Sequence, residues 1–129
     1  MQSHYVPKAP EAIGPYCHAI RTGNLVFCSG QAALDPQTMR LVGKTVGEQT
    51  ERTLKNIAIV LNGLGLSLQN VVKSTVYLKN MGDFQSMNDV YERMFHPHKP
   101  ARTTIAVREI PLDALVEIEC IAEIPVVSE

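Results

Sequence analysis

At 129 residues, 45% hydrophobic and 19% charged, the chain has the length of one ordinary domain and enough apolar residues for a core; this excludes a disordered segment and a disulfide-dependent miniprotein. A formal charge of −1 without any Lys/Arg run leaves no electrostatic footprint for nucleic acid. No apolar run approaches the roughly 20 residues needed to span a bilayer, and residues 1–7 lack the basic and apolar parts of a secretory signal. A cytoplasmic protein is expected, with an organelle matrix as the alternative. Cys17, Cys28 and Cys120 are odd in number and lie in or beside strand-like segments. That suits buried free thiols in a reducing compartment better than a disulfide framework.

In chain order, Pro7, Pro10, Gly14 and Pro15 make residues 1–16 a turn-rich lead-in. Residues 25–29 form a compact apolar strand, and Asp35-Pro36-Gln37 a turn. Thr45 and Glu48 have capping-box spacing, in which hydroxyl and carboxylate satisfy each other's free amides. The helix they open carries Leu54, Ile57, Ala58 and Leu61 at helical spacing and stops at Gly63 and Gly65. Residues 71–78, rich in β-branched side chains, read as a strand. A second helix spans about residues 82–95 with Phe84, Met87, Tyr91 and Met94 on one face, and Pro97 and Pro100 end it.

The last third reads as a β-hairpin. Thr103, Ile105 and Val107 of its first strand and Val116, Ile118, Cys120 and Ala122 of its second are expected to face the helices. Arg102, Thr104, Glu117 and Glu119 then share the opposite face, together with Ile121. The sum is an α+β fold, one domain over residues 1–129, with a mostly antiparallel sheet and two helices on one face. The other face needs a partner, so the chain is expected to form an oligomer.

Arg102 is the leading candidate for chemistry, because its planar fork matches a carboxylate bidentately and stays charged at cellular pH. The plainer alternative is a structural pair with Glu117 or Glu119. Those carboxylates project to one side of a strand, where two such groups are expected to raise each other's pKa unless a cation intervenes; one of them could orient water or move a proton, or both could simply be solvated. Tyr16 follows a turn that could present its ring to a cleft or merely half-bury it. Gly30, in Ser29-Gly30-Gln31, permits close backbone approach to a ligand, or marks only a turn. His96 and His98 lack the further ligands of a zinc site, so no metal is expected. Cys17 has no adjacent base and reads as a packed thiol. Phosphate-cradling and nucleophile-elbow motifs are absent.

Together, Ala12-Ile13-Gly14-Pro15-Tyr16, Ser29-Gly30-Gln31, residues 70–76, Asp83-Phe84 with Asn88 and Tyr91, Pro100-Ala101-Arg102 and Glu117-Ile118-Glu119 resemble the RidA/YjgF family of enamine/imine deaminases. The resemblance covers nearly the whole chain. It implies a chorismate-mutase-like fold and a homotrimer whose sheets face inward as a barrel, with sites in clefts between subunits. It also implies cofactor-free hydrolysis of 2-imino acids such as 2-iminopropanoate and 2-iminobutanoate, or of their 2-aminoacrylate-type tautomers, to 2-keto acids and ammonia. Carried over by position, Arg102 binds the substrate carboxylate and Glu117 holds or activates water. Tyr16 lines the cleft, Ser29, Gly30 and Asn88 shape its walls, and the backbone at Thr104 meets the imine nitrogen. One departure is Thr104, where many active members carry cysteine. The competing readings are a non-catalytic trimer that binds small carboxylates and an RNA-cleaving translation inhibitor. The chain's charge balance disfavours the second. The expected partners are small 2-imino and 2-keto acids and further copies of the chain, with neither nucleic acid nor membrane.

Overall fold

The computed structural model describes residues 1–126. One six-stranded sheet in the order β1-β2-β3-β6-β4-β5 carries helices α1 (Val46–Gly63) and α2 (Phe84–Phe95). The strands are β1 (Gln2–His4), β2 (Ala19–Thr22), β3 (Leu25–Gln31), β4 (Val71–Leu78), β5 (Ala101–Ala106) and β6 (Val116–Glu123). All neighbouring pairs are antiparallel except β4 and β5. Among the described residues, no helix is long and apolar enough to cross a membrane.

The expected capping box is present. Thr45 Oγ1 accepts the Glu48 amide at 3.2 Å, and the Glu48 carboxylate accepts the Thr45 amide at 3.2 Å. The helix then buries Leu54, Ile57 and Leu61 against the sheet, joined in the core by Val76, Leu78, Met87, Phe95 and Ile118. The strand over 71–78 and the second helix lie where the periodicity puts them, a short 3-10 turn (Met81–Asp83) leading into α2.

Two expectations fail. The first is the C-terminal hairpin. β5 does not pair with β6; it runs parallel to β4, and β6 inserts between β3 and β4. A strand that returns through a helical crossover arrives parallel to the one it left, so α2 delivers β5 to the outer side of β4. Lys79 fastens the following connection, its Nζ contacting Asp113 Oδ1 at 2.6 Å and its amide donating to the Leu115 carbonyl at 3.0 Å. The second failure follows from the first. Ser74 pairs with both Arg102 and Cys120, and Val76 with both Thr104 and Ile118. Arg102 and Thr104 therefore face the helices, while Thr103 and Ile105 share the uncovered face with Glu117 and Glu119. On the edge strand β5 the apolar alternation marked the uncovered side, where Ile105 is 43% exposed.

The proline-rich lead-in also contains β1, and buried His18 holds the segment after it in place. His18 Nδ1 accepts the Val6 amide at 2.8 Å, which leaves Nε2–H to donate to the Pro10 carbonyl at 2.7 Å. Neutral imidazole with the proton on Nε2 satisfies both bonds at once.

Candidate functional site

The chain carries two separate clusters of the expected site residues. Arg102 is the second residue of β5 and lies against α2, its guanidinium carbon 4.8 Å from the Tyr91 ring centroid and 5.6 Å from that of Phe84. Phe84 and Tyr91 are seven residues apart, two turns of α2, so both rings face the strand. Tyr91 is itself fixed by a 2.6 Å hydrogen bond between its hydroxyl and Ser74 Oγ. Burial pushes the Tyr91 phenol above its ordinary pKa, keeping it neutral beside the cation. No carboxylate pairs with Arg102 among the described residues. Asn88 Oδ1 and Thr104 Oγ1 are likewise buried without a hydrogen-bond partner among them. The guanidinium is thus left with donors that suit a carboxylate, and the two oxygens with unused hydrogen-bonding capacity.

The second cluster surrounds Glu117 on β6. The register shift between Cys28 and Gln31 brings Gly30 of β3 close beside it, so a Cβ on Gly30 would sit 2.8 Å from Glu117 Oε2. Ser29 Oγ donates to the Cys17 carbonyl at 2.7 Å, tying β3 to the segment that carries Tyr16. Gly14, at φ +127°, takes a backbone conformation that L side chains rarely adopt and turns the chain there. The Tyr16 ring is left 46% exposed. Tyr16, Gly30, Gln31, Leu112 and Glu117 border a cavity of about 150 Å³. Burial first, and the neighbouring Glu119 charge second, raise the Glu117 pKa. Glu119 itself accepts the Tyr77 hydroxyl at 2.7 Å.

Arg102 and Glu117 therefore do not share a face of the sheet, contrary to expectation. Asn88 and Thr104 accompany Arg102, whereas Tyr16, Ser29 and Gly30 accompany Glu117. Sequence reasoning placed Phe84 and Tyr91 on one helix face but missed their role as a platform for Arg102; their spacing on the helix was the available signal. Gln31 was legible only as part of a motif. Among the described residues no group of three or more His, Cys, Asp or Glu side chains could share a metal ion.

The family model described as Endoribonuclease L-PSP matches residues 6–124. A RutC family protein of Pyrococcus abyssi is 47% identical over 118 residues, covering 92% of this chain and 93% of its own. Reactive Intermediate Deaminase A, chloroplastic, of Arabidopsis thaliana is 45% identical over 115 residues, covering 89% of this chain and 62% of its own. The crystal structure of E. coli TdcF with bound serine superposes with a TM-score of 0.90 at 34% identity, covering 95% of this chain and 98% of that one. A match over this much of the chain, with the same architecture, decides its membership: the chain belongs to the RidA/YjgF family.

Proposed function

We propose that the protein is a 2-iminobutanoate/2-iminopropanoate deaminase, hydrolysing reactive 2-enamine and 2-imine acids to 2-keto acids and ammonia. Its site forms in a homotrimer where the arginine half of one subunit meets the acid half of the next. The observation that carries this reading is the Arg102 cation, uncompensated among the described residues, with orphaned Asn88 and Thr104 atoms, on one face and half-buried Glu117 on the other. The name of the Arabidopsis relative and the serine bound to E. coli TdcF support a small amino-acid-like ligand. A cytoplasmic or organellar setting, where pyridoxal-phosphate enzymes release such intermediates, fits this chemistry.

Arg102 holds the substrate carboxylate through two parallel N–H···O bonds. Asn88 Oδ1, an acceptor only, is suited to the N–H of an imine and not to a carbonyl oxygen. Ionised Glu117 takes a proton from water as the oxygen adds to the imine carbon, and passes that proton on to the nitrogen. Collapse of the resulting carbinolamine expels ammonia and leaves the 2-keto acid. Anchoring and a positioned water are the main requirements of so reactive a substrate.

A dehydratase acting on serine supplies 2-aminoacrylate for the direct test. Adding the protein should speed pyruvate formation above the spontaneous rate; an unchanged rate would leave only a carboxylate-binding role. Two further results are expected. Gly30→Ala pushes the Glu117 carboxylate aside, because the new Cβ meets the far end of that side chain and not backbone. Turnover should fall about 10- to 100-fold, the scale of a misplacement near 1 Å, with the melting temperature nearly unchanged. Turnover should also fall as pH drops through the raised Glu117 pKa, since the ionised form is the base. Glu119→Gln removes a like charge and lowers that pKa, so the acid limb of the pH–rate profile should move to lower pH. An unmoved limb would assign the titration to another group.

A further inference from the structure

A groove of about 520 Å³ extends from Arg102 along α2, between Gln85, Asn88 and Glu92 of the helix and the segment 96–100. Such a volume lies in the range of sites for drug-sized ligands and exceeds what a three-carbon imino acid needs. Lys99 also lines the groove. As it lies three residues before Arg102, its Cα is at most about 11 Å from that of Arg102, a span two long flexible cations can narrow. No carboxylate pairs with Lys99 among the described residues. The charged groups facing the groove are Arg102 and Lys99 against one carboxylate, Glu92, with His96 exposed at the rim. His98 is occupied elsewhere, its Nε2 at 2.6 Å from the Val71 carbonyl. Beyond the carboxylate anchor the groove thus offers one cation, Lys99, and one carboxylate, Glu92, which do not pair with each other.

Resting on the deaminase reading, we infer that this groove holds the substrate side chain and that Lys99, with His96 at the rim, selects 2-imino acids bearing a second, distal anionic group. Arg102 takes the α-carboxylate, the side chain lies along the α2 stripe, and Lys99 meets the distal carboxylate. The proposal explains why a site for so small a reacting centre opens onto a long groove lined by a second cation, unpaired among the described residues. It also gives the His/Pro-rich segment 96–100 a task that the hydrolysis itself does not require.

The decisive comparison is between the imines of glutamate and glutamine, which match in shape and differ in distal charge. An amino acid oxidase generates both in place, with the alanine imine alongside. The protein should prefer the glutamate imine in kcat/KM by about fivefold or more at low salt, the scale of one partly exposed ion pair. That ratio should decline as salt screens the pair. Lys99→Gln should bring it close to unity, whereas Lys55→Gln, on the exposed side of α1, should leave it as it is. A wild-type ratio at or below one, or a ratio unmoved in both Lys99→Gln and His96→Gln, overturns the inference while the deaminase reading stands on the alanine imine. If no imine is turned over, the reading of the activity falls. The glutamate-to-glutamine ratio of dissociation constants, by calorimetry on wild type and Lys99→Gln, then decides the groove by the same criterion.

Discussion

Arg102→Ala is expected to lower kcat/KM for 2-iminopropanoate by roughly 30- to 5000-fold. This is the span for truncating one member of a desolvated charge pair at about 2–5 kcal/mol, with each 1.4 kcal/mol worth about tenfold. The fold should survive, because Arg102 has no carboxylate partner among the described residues and stacks only on Tyr91 and Phe84. Such cation–ring contacts are worth about 0.5–1 kcal/mol at exposed sites, so circular dichroism should show a melting temperature lowered by only a few degrees. Arg102→Lys is expected to fall well short of wild type despite keeping the charge. An ammonium cannot offer two parallel donors to a carboxylate, nor stack its plane on the two rings. Residual turnover near wild type in Arg102→Ala would remove this residue from the anchor role.

Equal mixing and reassembly of two inactive variants, Arg102→Ala and Glu117→Gln, is expected to restore activity. In the proposed ring of heterologous interfaces each site would draw Arg102 from one subunit and Glu117 from its neighbour. Random assortment makes about one site in four intact, so activity should return to about a quarter of the wild-type value. The reason lies in the sheet: Arg102 faces α2, while Glu117 pairs opposite Tyr77 on the uncovered side. A single chain cannot close both around a three-carbon substrate. If the mixture stays at the level of the separate variants although mass spectrometry shows mixed oligomers, the shared site is wrong.

The helices and β4 were legible because their signals are local. Thr45 and Glu48 cap one another within a single turn, the apolar positions of α1 repeat every three or four residues, and β4 is a run of β-branched residues between polar ends. The types of the site residues were legible too, since a guanidinium, a carboxylate and a glycine state their chemistry wherever they stand. β1 escaped notice because three residues among turn formers make no pattern.

The partnering of β5 was not legible. Two successive strands default to a hairpin, and alternation reports two faces without saying which one is covered. The parallel crossover through α2 placed β5 at the sheet edge, where an apolar residue such as Ile105 stays open and Arg102 packs under aromatic rings. A one-residue change of parity turns every side chain of a strand over, and that step separated Arg102 from Glu117. By itself, then, the sequence determined the elements, the chemistry on offer and the resemblance. Only the tertiary structure decided that the cation and the acid occupy opposite faces, because strand order is set by long-range pairing that no local pattern encodes.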